Sequence, residues 1–88
     1  MTVIQFSPTF THDDISHIHA RFGSELSSGR ASHWERFRPE DGLVDAIHLI
    51  GHDEMAIMTI TRSHGGYLSY DDQGETIAQG RTIGEALL

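Results

Sequence analysis

Between Leu43 and Gln79 the chain repeats one pattern four times: a short run rich in β-branched and aromatic residues, then a cluster of turn formers. The runs are 43–50 (LVDAIHLI), 55–62 (MAIMTITR), 67–71 (YLSYD) and 75–79 (ETIAQ), separated by GHDE, SHGG and DQG. Runs this short with connections this short predict strands that pair with their sequence neighbours, an antiparallel β-meander. Gly74 falls where a hairpin loop calls for a left-handed residue.

Ahead of the meander the period changes from two to about 3.6. Ile15, Ile18, Phe22 and Leu26 form one apolar stripe. Thr11 and Asp14 stand at the N-cap and N3 positions of a capping box, and Phe10 and Ile15 at those of a hydrophobic staple. The helix ends at Gly23 or, as Leu26 favours, before Gly29. Residues 2–6 (TVIQF) read as a short strand that Pro8 interrupts. Residues 30–40 (RASHWERFRPE) stay open between helix and strand. Trp34 and Phe37 are three apart and Ser32 with Glu35 could cap one turn, yet the same residues suit a strand that Pro39 ends. At the far end Thr82 and Glu85 make a T-x-x-E box and start a short helix. Leu87 and Leu88 are apolar there, and must dock on the sheet or on a second copy of the protein. The expected architecture is one α+β domain over residues 1–88. An N-terminal strand and an amphipathic helix pack on a four-strand antiparallel meander, and a short C-terminal helix follows.

Composition narrows the chemistry. The chain has 88 residues, a formal net charge of -7, no cysteine and no lysine. Thiolate nucleophiles, disulfides, cysteine zinc motifs, Schiff bases and the P-loop lysine are therefore excluded. The acidic balance repels nucleic acid and anionic membranes. No run of 18 apolar residues occurs, and MTVIQFSPTF lacks a signal peptide's basic and apolar regions. A cytoplasmic protein is expected.

Residues 55–88 resemble the core of HicB-type antitoxins in the GGY turn, the hairpin carrying Asp71 and Gly74, and the QGRTIGEAL entry into a helix. That resemblance implies a small domain that binds and inhibits a toxin RNase, often beside a separate DNA-binding part. In the family the domain begins with the strand before GGY and the helix after EAL is long. Here residues 1–54 come first and the sequence stops at Leu88.

Four groups of residues could carry chemistry. THDDISHIHARF (11–22) holds His12, His17 and His19, but His17 and His19 lie about 200° apart around a helix. Only Asp13 or Asp14 with His17 can meet locally, and the plain alternative is a solvated pair beside a helix dipole. His48 and His52 would make a zinc pair on a helix, but on a strand they are about 13 Å apart. Asp13, His17, His48 and His52 are thus the metal candidates. The stretch RASHWERFRP concentrates Arg30, Arg36 and Arg38 around His33 and Trp34 in an otherwise acidic chain. Arginine beside aromatics suits a partner surface bearing carboxylates, and the alternative is that Trp34 and Phe37 are core with the arginines at its edge. The acidic turns at 52–54 and 70–75 lack the ligand spacing of a calcium loop.

No cofactor motif and no catalytic motif is present. The expectation is a small acidic, non-enzymatic binding module: an adaptor, an inhibitor or an antitoxin-like protein. It would contact a protein partner through Arg30, His33, Trp34, Arg36, Arg38, Leu87 and Leu88, and self-associate as a homodimer. The alternative is a histidine-based metal- or pH-responsive protein.

Overall fold

The computed structural model describes residues 8–40 and 42–87. Within them α1 spans His12–Ser27, and five strands follow: β1 His33–Phe37, β2 Val44–Ile50, β3 Ala56–Ser63, β4 Gly66–Tyr70 and β5 Thr76–Gly80. A single turn, α2 at Ile83–Ala86, closes the order. The sheet is antiparallel throughout and its spatial order β1-β2-β3-β4-β5 is the chain order.

Two corrections to the expected architecture follow. The sheet has five strands and not four, because 33–37 pairs with β2 over five consecutive positions, from His33 opposite Ile50 to Phe37 opposite Ala46. The first described element is a helix, and the strand expected at 2–6 lies outside the described residues. The 33–37 segment reads ambiguously because its pattern is inverted. Arg36 is opposite the buried Ile47, while Phe37 faces outward and is 58% exposed.

The local chemistry of α1 is as its sequence suggests. Thr11 caps it, accepting from the Asp14 N–H, and the Asp14 carboxylate accepts in return from the Thr11 N–H. Past Ser27 the chain turns through Gly29 with φ +80°, a conformation that glycine adopts without strain. Ile18 and Phe22 are fully buried and Ile15 and Leu26 pack beside them. They rest on Ile47, Leu49, Met58 and Ile60 of the two central strands, and Ile83 and Ala86 of α2 complete the core. Burying one such large side chain contributes about 2–3 kcal/mol.

The junction of β4, β5 and α2 depends on two glycines. A Cβ on Gly66, whose φ is +122°, would stand 2.6 Å from the Gly80 carbonyl oxygen. A Cβ on Gly80 would stand 2.4 Å from the Glu85 Cβ. Glu85 must come that close because it completes the Thr82 capping box, its Oε1 accepting from the Arg81 and Thr82 N–H groups. Those bonds, led by the Thr82 hydroxyl, hold the Glu85 carboxyl below its ordinary pKa.

Candidate functional site

Residues opposite each other in an antiparallel ladder share a face. The register therefore sorts the sheet into two sides. The inner side, under α1 and α2, has rows Trp34–Leu49–Met58, Arg36–Ile47–Ile60–Ser69–Ala78 and Asp45–Arg62–Tyr67–Gly80. The outer side has rows His33–Ile50–Ala56, Glu35–His48–Thr59–Tyr70–Thr76, Phe37–Ala46–Thr61–Leu68–Gln79 and Val44–Ser63–Gly66.

At one end of the inner side the core becomes ionic. Asp14, in the first turn of α1, receives the Arg62 guanidinium from β3 and the Tyr67 hydroxyl from β4, the latter at 2.9 Å. Asp45 of β2 accepts from the Phe10 N–H at 2.9 Å and takes the Arg36 guanidinium in a two-point fork. Arg36 also lies over the Phe10 ring, and Arg62 over the Tyr67 ring. The helix start is thus fastened to four strands through two carboxylates.

Their titration follows from these contacts. Burial works against the charge of Asp45. The Arg36 and Phe10 hydrogen bonds and the charges of Arg36 and Arg38 outweigh it and hold the carboxyl below the usual range. The same hydrogen bond to Asp45 raises Arg36. Burial, then the Asp14 carboxylate, pushes the Tyr67 hydroxyl up to about 12. Every group in this layer is satisfied by a partner inside the fold, so its work is to fix where α1 sits.

The histidines are dispersed. His17 sits beside Asp13, with Nδ1 2.9 Å from the Asp13 carbonyl oxygen and 3.5 Å from its carboxylate. His19 meets the Trp34 ring edge-on at 4.7 Å. His48 is on the outer side with Nδ1 2.8 Å from the Thr59 hydroxyl. His52 reaches back to the Gly29 carbonyl at 2.8 Å and ties the α1–β1 loop to the β2–β3 loop. His48, on β2, and His52, in the β2–β3 loop, thus have separate partners. Among the described residues no three histidine, aspartate or glutamate side chains gather in a metal-binding group.

The basic stretch is divided by the strand it forms. Trp34 and Arg36 turn inward, Trp34 against the core and Arg36 onto Asp45. Arg30 pairs with Glu25 at 2.9 Å. His33 lies 3.2 Å from the Glu35 carboxylate. Arg38 is exposed, with no ion pair among the described residues. Leu87 packs partly buried against the core, and Leu88 lies outside the described residues. The structure therefore does not gather these residues into one patch.

What the sequence reading missed is the outer side of the sheet. Both helices lie on the other side, and no described helix covers this one. In a chain of 19 charged residues, Glu35 is the one residue of formal charge among the outer-row positions. Phe37, 58% exposed, and Leu43, 57% exposed, stand where the β1–β2 connection leaves this side. Threonines 59, 61 and 76, with Ala46, Leu68 and Tyr70, make the rest of the surface low in charge. The signal was present as strand alternation but could be read only once the register of β1 was known.

An open cleft of about 430 Å³ lies at the β3–β4 turn, where the outer-row residues Ser63, Gly66, Leu68 and Gln79 meet Tyr67 and Arg81. No helix among the described residues is long and apolar enough to cross a membrane. No family model, curated protein sequence or solved structure matches the chain.

Proposed function

We propose that this protein is a small acidic binding module that holds another protein on the outer side of its sheet. The observation that carries this reading is the nearly uncharged outer surface, covered by neither described helix, on a chain of net charge -7, with Phe37 exposed at one end. An acidic molecule repels other acidic molecules, and that cost is least where its charge is absent. Exposed aromatic and aliphatic side chains supply the apolar anchors typical of protein interfaces. An adaptor, an inhibitor and an antitoxin-like protein all act through such a surface, and the partner's identity decides among them.

The test is site-specific photocrosslinking in the native host. A photoreactive residue replaces Thr61, in the middle of the outer side, or Ala20, on the exposed side of α1. A discrete adduct is expected from position 61 and not from position 20, and the Phe37→Asp substitution should remove it. Equal adducts from both positions, or an adduct indifferent to Phe37→Asp, would overturn the proposal.

A further inference from the structure

The sheet ends in two edge strands, β1 and β5, neither paired on its outward side among the described residues. Native proteins blunt such edges with bulges, proline, lysine or a covering element, because an open edge is a template for another strand. β5 has such protection: its pairing with β4 shifts register between Ser69 and Tyr70, and it ends in Gly80. β1 has none. It pairs with β2 over all five residues without a shift and contains no proline.

We propose that β1 is self-complementary, and that two copies of the chain join β1 to β1 antiparallel about a two-fold axis at Trp34. Side-chain chemistry selects that register. In an antiparallel pair about a two-fold axis, residue positions sum to a constant, and an even sum keeps inner residues opposite inner residues. An axis at Glu35 sets two carboxylates opposite each other, and an axis at Arg36 sets two guanidinium groups opposite each other, both unfavourable. The axis at Trp34 places His33 opposite Glu35 of the second copy, and Glu35 opposite its His33. On the other side it sets the two Trp34 rings against each other. His33 and Glu35 already lie 3.2 Å apart within one strand. The pairing therefore closes an alternating square of two histidines and two carboxylates on the outer side. Trp34 is only partly buried by its own core, which leaves ring surface for its counterpart. The result is one ten-stranded sheet, with both outer sides on the same face.

This inference does not depend on the outer side binding a partner. It is tested in the purified protein, which has no cysteine of its own. His33→Cys and Glu35→Cys, both at exposed side chains, are prepared singly and oxidised alone and mixed. The expected result is a covalent dimer from the mixture and none from either variant alone, with the unmodified protein sedimenting as a dimer at high micromolar concentration. Glu35→Arg should weaken association about tenfold. The swapped variant His33→Glu/Glu35→Arg should restore it. A monomer at high micromolar concentration, a covalent dimer from Glu35→Cys alone, or no covalent dimer from the mixture would each overturn the proposal.

Discussion

Beneath α1 the sheet presents Ile47, Leu49, Met58 and Ile60, then at one end the paired charges of Asp14, Arg62, Asp45 and Arg36. On its other side the same strands present alanine, threonine, histidine and tyrosine, with Phe37 exposed. The first side carries nearly all of the apolar burial and most of the long-range hydrogen bonds. The second contributes little to the core and is nearly free of formal charge. The four charges of the inner side are matched in pairs, and the outer rows carry one, Glu35.

Substitutions can break this contrast, and the inner side should respond most. Phe22→Ala removes a side chain that is 1% exposed and should cost about 3–5 kcal/mol in urea unfolding. Arg62→Met should cost a similar amount, about 3–5 kcal/mol, because it strands the Asp14 carboxylate in the interior. Adding Asp14→Asn to that variant should recover part of the loss, whereas two independent sites would only sum their costs.

Titration sharpens the same contrast with smaller effects. The folded Tyr67 hydroxyl, raised to about 12, holds its proton while the unfolded one loses it from pH 10. Stability should therefore fall by about 2–3 kcal/mol as pH rises from 10 to 12, and Tyr67→Phe should flatten that slope. Asp45 has the opposite sign. Its folded pKa lies below the unfolded value, so its contribution is present at neutral pH and lost as pH falls through the folded value. Asp45→Asn should remove that part of the acid limb of the stability curve. Smallest of all, Phe37→Asp on the outer side should change unfolding by no more than about 0.5 kcal/mol. Its effect is expected on partner capture instead. A large loss of stability there would show that the outer side is core.

The elements that sequence makes legible are those whose local rules agree. Strands β2 to β5 combine period-two alternation with glycine-bearing turns. The start of α1 combines a capping box, a staple and an apolar stripe, and Thr11, Ile18 and Phe22 do what their types predict. β1 breaks the agreement, since an arginine points inward and a phenylalanine outward. Only Asp45, nine positions away across a hairpin, makes Arg36 acceptable on the inner side. The ionic layer was invisible for a similar reason. Asp14 reads fully as a capping residue, and nothing local shows that Arg62 and Tyr67, 48 and 53 positions on, also bind it. The basic stretch looked like a site because its charges are close in sequence. The strand sends alternate residues to opposite sides, and so disperses what the sequence concentrates.

The match between strand order and chain order bears on how the molecule is assembled. Each strand meets its partner across a short hairpin, so the sheet can zip from any turn without closing a long loop. Helix α1 is different: its ties to β3 and β4 join residues 48 and 53 positions apart and need both strands in place. The Asp14 carboxylate is in this sense a latch that fits only the correct register. A sheet slipped by one residue would turn Arg62 and Tyr67 to the wrong side and leave the helix with nothing to hold.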